Sequence, residues 1–246
     1  MRGMNRHLVL FAREPARQAR EKGLGTPEAA ELFRRFAAGW VEAAGRVKAR
    51  LIVATPPEDL ARWHRALAGV EGLAWICQRG TTLGERLEDA ARRAAAFGGH
   101  AVIVGGDVSP SESILTEVFE AIETEADAAV SPALDGGVSL LALPAADLDL
   151  LRGIRPRSRT VLRDLLNALR HRGRRVELVG PTADVDGPRS LRALLRRLPA
   201  GATLRSLVKL LLDLPSRMHR FPVLPARPRD LASPCGLRAP PSAASA

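Results

Sequence analysis

The sequence predicts an α/β protein, a three-layer α/β/α sandwich built around a mainly parallel, mixed sheet. Seven short runs rich in Val, Ile and Leu recur along the chain, and longer segments with helical spacing lie between them. This alternation is typical of buried parallel strands that are covered by helices on both faces. With 246 residues and a hydrophobic fraction of 46%, the chain can bury one substantial core.

The elements follow in order. Strands are predicted at residues 8–12, 51–55, 73–77, 101–105, 128–131, 138–143 and 176–179. Residues 16–24 are interpreted as a loop. Thr26, Pro27 and Glu28 then suit a helix start, because Thr can cap, Pro tolerates the first turn and Glu favours the positive end of the helix dipole. Further helices are predicted from Pro56 onward and at residues 83–97, 111–124, 158–172, 187–198 and 203–212.

Composition divides the chain into a globular domain, residues 1–214, and a tail rich in Pro and Ala, residues 215–246. Residues 1–150 contain 17 basic and 21 acidic side chains, whereas residues 151–246 contain 20 and 6. The formal charge of +10 therefore lies in the second part of the chain, where it could attract a nucleotide or an anionic membrane surface. A solvated Arg-rich surface explains it equally well.

Other partners and compartments are less favoured. The aromatic fraction of 4%, without any Tyr, disfavours base-stacking RNA platforms, and no nucleic-acid motif is present, so no specific nucleic-acid partner is expected. The apolar run at residues 7–12 is too short for a signal peptide or a membrane span. We therefore expect a cytoplasmic protein without a transmembrane segment.

Asp107 is the first candidate site residue. It follows the apolar strand 101–105 and the pair Gly105 and Gly106, which would let phosphates approach the backbone. Ligands of open α/β sheets bind beyond the carboxyl ends of strands, and Mg²⁺ or Mn²⁺ prefers oxygen ligands there. The alternative is that Asp107 caps the helix that begins near Ser111.

Three other segments carry polar residues at predicted strand ends. Residues 78–86 form a strand-to-helix loop with glycines and arginines that suits a nucleotide, although Glu85 and Arg86 could be an ordinary exposed pair. Asp135 begins an Asp-Gly-Gly turn, for which a simple hairpin is the alternative. Asp184 and Asp186 form a pair that could share a cation, or Asp186 could cap the next helix.

Taken in order, these segments resemble the bacterial DUF2064 family of TarA-like glycosyltransferases, which is related to GT-A nucleotide-diphospho-sugar transferases and to MobA-like and CofC-like nucleotidyltransferases. The resemblance extends over most of residues 7–198. It rests on Leu10-Phe11-Ala12-Arg13 with Pro15, on the segment 78–86, on Gly106-Asp107, on Asp135-Gly136-Gly137, and on Asp184-Val185-Asp186 with Pro188.

The resemblance implies a GT-A-like fold and a metal-dependent transfer from a nucleotide-activated sugar to an unknown small acceptor. It implies catalytic roles for Asp107 and Asp135, and a site for Mg²⁺ or Mn²⁺ at Asp107 and Asp186, or less favourably Asp184. The implied nucleotide-binding residues are Phe11, Ala12, Arg13, Lys22, Gln78, Arg79, Gly80, Gly84, Arg86 and Gly106.

Two alternatives remain open. A nucleotidyltransferase would form an activated compound from a nucleoside triphosphate and release pyrophosphate. A catalytically degenerate domain would act as a binding or scaffold protein. This alternative is considered because the loop after the first strand departs from the glycine- and lysine-containing pattern of the family. Here Arg17, Arg20 or Lys22 could meet the phosphates instead.

Overall fold

A computed structural model describes residues 5–154 and 160–213, and the predicted tail, residues 215–246, lies outside these ranges. So do the first residues of the helix predicted at 158–172. A seven-stranded sheet lies between two layers of helices, so the predicted fold class is confirmed.

All seven predicted strands form. They are β1 (Arg6–Phe11), β2 (Ala49–Thr55), β3 (Ala74–Cys77), β4 (His100–Gly105), β5 (Ala128–Pro132), β6 (Val138–Ala142) and β7 (Val176–Leu178). The α-helices are α1 (Pro15–Glu21), α2 (Pro27–Arg46), α3 (Leu60–Ala66), α4 (Leu83–Ala95), α5 (Glu112–Thr124), α6 (Val161–His171), α7 (Pro188–Arg197) and α8 (Thr203–Asp213). Short 3-10 helices span Pro57–Asp59 and Ala145–Gly153.

The strand order is β3-β2-β1-β4-β6-β5-β7. Only β6 runs against its neighbours, since it pairs antiparallel with both β4 and β5 while the other pairs are parallel. One edge of the sheet therefore collects the carboxyl ends of six strands and the turn that enters β6. Polar residues at this edge can converge on one site.

Alternation along the strands divides the core between the two faces of the sheet. In β1, Leu8 and Leu10 pack with Trp40 of α2, whereas Val9 packs on the face covered by α4 and α6. A third apolar cluster joins α1, α2, α7 and α8 beside the sheet, and Phe33 and Phe36 of α2 are buried in it. The long helix α2 thus attaches the last two helices to the domain.

The region after β1 is where the sequence prediction was wrong. Residues 15–21 form helix α1, although residues 16–24 were interpreted as a loop. The Glu14 carboxylate accepts hydrogen bonds from the Ala16 and Arg17 N–H groups, and Pro15 occupies the first turn. These are ordinary helix-start features, but Glu is not among the preferred capping residues, so the pattern gave a weak signal.

None of the helices in residues 5–154 and 160–213 combines the length and apolar character that crossing a membrane requires.

Candidate functional site

The loop that contains Asp107 is held rigidly at the carboxyl ends of β1 and β4. Gly106 donates its N–H to the Phe11 carbonyl over 3.0 Å. A Cβ added to Gly106 would lie 2.4 Å from the Ala12 Cβ, so only glycine allows this approach. On the helical side, the buried Trp40 indole donates to the Val108 carbonyl at 3.0 Å. The backbone on both sides of Asp107 is therefore fixed.

Asp107 does not cap the following helix, because Ser111 accepts the hydrogen bond from the Ile114 N–H at the start of α5. This excludes the alternative structural explanation for Asp107. Its side chain is instead 22% exposed and lines the large cavity at this edge of the sheet.

The loop after β7 runs directly beside the Asp107 loop. The Val185 N–H donates to the Asp107 carbonyl at 2.9 Å, and the Ser109 N–H donates to the Ala183 carbonyl at 2.8 Å. Val108 and Asp184 form an isolated antiparallel bridge. These backbone contacts bring Asp184 and Asp186 next to Asp107.

Three carboxylates converge at this point. Asp135, in the turn between β5 and β6, offers an oxygen within 4.8 Å of oxygens of Asp184 and Asp186. Burial, together with the hydrogen bond with Asp186 and the charges of Asp186, Asp107 and Asp135, raises the pKa of Asp184 to about 7. The site thus concentrates negative charge, which is the condition under which carboxylates attract a cation.

Asp186 does not cap helix α7, which excludes the alternative explanation for this residue. The Ser190 hydroxyl accepts hydrogen bonds from the N–H groups of Asp186 and Gly187, at 2.8 and 3.0 Å. The Asp186 side chain remains directed to other partners, among them Lys22.

Lys22 joins two of the carboxylates. Its Nζ lies 2.5 Å from Asp107 Oδ2 and also contacts Asp186 Oδ1. Burial alone would lower the pKa of Lys22, but the charge of Asp107 and the hydrogen bonds to both carboxylates raise it above the usual lysine value. The ammonium therefore stays charged and occupies the position between Asp107 and Asp186.

A second group of cations lies toward β2 and β3. Burial lowers the pKa of Arg86, and the positive charges of Arg13 and Arg17 lower it further. Arg13 pairs with Glu21, whereas Arg86 forms no ion pair within residues 5–154 and 160–213 and donates only to the Thr82 carbonyl, at 3.3 Å. An unpaired, half-buried guanidinium is suited to bind an anion.

The four carboxylates, Lys22, Arg13 and Arg86 line one cavity of about 1150 Å³, which is slightly above the usual size of small-molecule sites. The predicted site residues that line it are Phe11, Ala12, Arg13, Lys22, Gln78, Arg86, Asp107, Asp135 and Asp186. Gln78 is only 7% exposed, and its amide nitrogen donates to the Ala54 carbonyl at 2.9 Å.

The other predicted residues do not line this cavity. Gly80 has a φ of +125° and lies against Glu85, and a Cβ on Gly84 would lie 2.5 Å from the Leu151 carbonyl oxygen. Gly84 and Gly106 thus allow close packing within the protein, and Arg79 is exposed. A direct nucleotide contact by these four residues remains a prediction.

Sequence reasoning missed two residues of the cavity wall and gave a third too little weight. Helix α1 contributes Gln18 and Glu21 to the cavity wall, and no motif marked them. Asp184 was ranked below Asp186, although it is the more buried member of the pair. Its spacing from Asp186 was the available signal, but only the neighbouring loops explain its raised pKa.

The fold is of the nucleotide-diphospho-sugar transferase type. The chain has a TM-score of 0.72 and 24% identity to a protein from Desulfovibrio desulfuricans G20 whose description assigns it provisionally as a nucleotide-diphospho-sugar transferase. The alignment covers 85% of this chain and 97% of that chain.

Two further solved structures share the fold. One is 4-diphosphocytidyl-2C-methyl-D-erythritol synthase from Anaerococcus prevotii DSM 20548, with 10% identity, a TM-score of 0.56 and coverage of 78% of this chain and 99% of that one. The other is Rv0371C from Mycobacterium tuberculosis H37Rv in complex with manganese, with 15% identity, a TM-score of 0.50 and coverage of 79% and 100%.

The family resemblance is confirmed over part of the chain. Residues 40–156 match the family model described as "Uncharacterized protein conserved in bacteria (DUF2064)". This segment includes residues 78–86, Asp107 and Asp135. No curated protein matches the sequence.

Proposed function

We propose that the protein is a metal-dependent transferase that uses a nucleotide-activated sugar as its donor. The observation that carries this proposal is the meeting of two opposite charge groups in one cavity. Four carboxylates lie at the ends of β4, β5 and β7, and Arg13 and Arg86 lie toward β2 and β3. A nucleotide diphosphate and a divalent cation would complement these two groups.

The carboxylates fit a hard divalent cation. Asp135, Asp184 and Asp186 offer oxygens within 4.8 Å of one another, and the charge that they concentrate raises the pKa of Asp184. Asp184 and Asp186 would hold Mg²⁺ or Mn²⁺, with Asp135 beside them and Asp107 as a fourth carboxylate that Lys22 links to Asp186. When bound, the cation would neutralise charge on the diphosphate of the donor.

The protein's own cations would act on the same diphosphate. Arg86, which has no carboxylate partner in the described ranges, and Arg13 would bind phosphate oxygens, while Lys22 can exchange a carboxylate for a phosphate by moving its long side chain. Charge that develops on the leaving diphosphate would meet these fixed cations, which is electrostatic stabilisation of the transition state.

Asp135 would act on the acceptor side. It is exposed, and one of its oxygens accepts the Gly137 N–H at 2.9 Å, which fixes the carboxylate at the cavity mouth. A carboxylate in this position can hold and accept the proton of an attacking hydroxyl. This role corresponds to the catalytic prediction for Asp107 and Asp135, with Asp107 on the donor side.

Binding is tested by calorimetric titration of the protein with UDP, GDP and CDP, each with and without Mn²⁺. We expect saturable binding of at least one nucleotide that strengthens with Mn²⁺. The variant D184N/D186N should lose the Mn²⁺ effect, whereas the control D127N/D213N, which removes the same charge from exposed positions on other parts of the domain, should keep it. Absence of nucleotide binding to the wild-type protein would overturn the proposal.

Nucleotidyl transfer is the second candidate. The fold shared with 4-diphosphocytidyl-2C-methyl-D-erythritol synthase from A. prevotii favours it. The two reactions differ in their products. Incubation with nucleoside triphosphates and phosphomonoesters should release pyrophosphate only if the protein is a nucleotidyltransferase. Metal-dependent nucleotide binding without turnover on any donor would instead support a binding or scaffold role.

A further inference from the structure

A second cavity of about 690 Å³ adjoins the acidic residues. Asp135, Asp184 and Asp186 line both this cavity and the large one, so the two spaces share one acidic wall. A molecule in the second cavity would therefore lie beside the same carboxylates as a donor in the first. The other walls come from Leu134 and from the first residues of α7.

Two arginines of α7 line the second cavity, and neither has a carboxylate partner among the residues that the structure describes. Arg189 and Arg192 are three residues apart, so they lie on the same side of the helix. Both are exposed, and neither forms an ion pair or side-chain hydrogen bond within residues 5–154 and 160–213. They lie next to three carboxylates but are not within contact distance of them.

The helix that carries these arginines is firmly positioned. Leu191 and Leu194 are buried in the cluster that joins α7 to α2, with exposures of 0% and 2%. The Ser190 hydroxyl fastens the start of the helix to the Asp186 and Gly187 backbone. The guanidinium groups therefore extend from a rigid base, which reduces the cost of ordering them around a ligand.

The cavity also offers a small apolar surface. Leu134 has 49% of its surface exposed, and Pro188 and Ala193 lie in the same wall. An exposed Leu beside a pair of unpaired arginines suits a ligand with an anionic group and a short apolar or polyol body. A neutral ligand would leave both guanidinium groups without a partner.

We propose that this cavity is the acceptor subsite, and that the acceptor carries a phosphate or carboxylate group that Arg189 and Arg192 bind. The assignment of the ligand as an acceptor rests on the proposed transferase function. The binding of an anion by the two arginines does not depend on that function. A guanidinium group can donate two parallel hydrogen bonds to one phosphate or carboxylate, so two such groups at this place suit an anionic ligand.

Glycerol 3-phosphate is a suitable probe, with glycerol as its neutral counterpart, and binding is measured by calorimetry in the presence and absence of Mn²⁺. Wild-type protein should bind glycerol 3-phosphate and not glycerol. The variant R189Q/R192Q should weaken binding at least fivefold. The control R170Q/R196Q removes the same charge from exposed arginines that do not line the cavity, and it should bind like wild type.

Nucleotide binding to R189Q/R192Q distinguishes a failure of this proposal from a failure of the transferase function. Binding of the nucleotide diphosphate with Mn²⁺ should stay within twofold of wild type in R189Q/R192Q. An equal loss of nucleotide binding would mean that the arginines meet the donor's phosphates, which overturns the acceptor subsite. A changed Mn²⁺ affinity without any glycerol 3-phosphate binding would mean that they only balance the carboxylates, which also overturns it.

If glycerol 3-phosphate binds through the arginines while no nucleotide binds, the anion site stands and the transferase function fails. If a nucleotide binds but glycerol 3-phosphate does not, the transferase function stands and the acceptor proposal fails.

Discussion

Replacing Asp184 by Asn should stabilise the protein at alkaline pH and leave its stability unchanged only below about pH 4. Asp184 is partly buried among Asp107, Asp135 and Asp186, and burial together with their charges raises its pKa to about 7. Asn has nearly the same shape, carries no charge and can donate a hydrogen bond to Asp186. The substitution therefore removes the electrostatic cost while it keeps the contact.

The sign follows from proton binding. Between about pH 4 and pH 7 the folded state keeps the Asp184 proton that the unfolded chain has lost, so stability falls as pH rises and the full cost applies above pH 7. A shift of about three units corresponds to at most about 4 kcal/mol. Because Asp184 shares its hydrogen bond with Asp186 and retains some solvent contact, we expect about 1–3 kcal/mol, or roughly 3–10 °C in Tm.

Thermal unfolding at pH 5 and pH 8, in the absence of divalent cations, measures this difference. D184N should melt higher than wild type at both pH values, and its advantage at pH 8 should be roughly two to three times that at pH 5, because the cost accumulates between about pH 4 and pH 7. The exposed residue Asp213 supplies the control, since D213N should have no such pH dependence. A D184N protein that is less stable at pH 8, or equally shifted at both pH values, would refute the reasoning.

Three further predictions concern the surroundings of Asp107. G106A places a Cβ 2.4 Å from the Ala12 Cβ, so urea denaturation should show a loss of about 1–3 kcal/mol, and wild-type stability would contradict the close approach. W40F removes the buried hydrogen bond to the Val108 carbonyl and should cost about 1–3 kcal/mol by the same assay, while an unchanged midpoint would argue against that bond. K22M removes the ammonium that lies between two carboxylates. Calorimetry should therefore show roughly three- to tenfold tighter Mn²⁺ binding, together with weaker nucleotide binding. Weaker Mn²⁺ binding in K22M would contradict this prediction.

Much of the fold could be predicted from local patterns. All seven strands were found because each contains a short apolar run, and most are buried strands of a mainly parallel sheet, although β6 is antiparallel and β7 is largely exposed. The start of α2 at Pro27 was found because Thr26 caps it through the Ala29 N–H, at 3.2 Å. Helix α1 was missed because its cap is a glutamate and its body is polar, so neither capping preference nor apolar periodicity marked it.

The candidate site was only partly predictable. Asp107 and Asp135 could be found because each stands directly beside a strand end, and such positions share one edge of the sheet. The glycines of residues 78–86 were assigned to the nucleotide because a sequence does not reveal which backbone approaches them. In the structure, Gly84 faces the carbonyl of Leu151, from a 3-10 helix that no pattern predicted.

The sequence by itself determined which side chains stand at the carboxyl edge of the sheet, because the order of apolar runs and turns specifies the strands and their ends. Only the tertiary structure decided which of those side chains meet. Lys22 and Asp186 are 164 residues apart, and they touch because α1 and the loop after β7 both pack beside the Asp107 loop. Contacts between distant loops depend on packing and backbone pairing rather than on local propensity, and for this reason the raised pKa of Asp184 and the position of Lys22 emerge only from the folded chain.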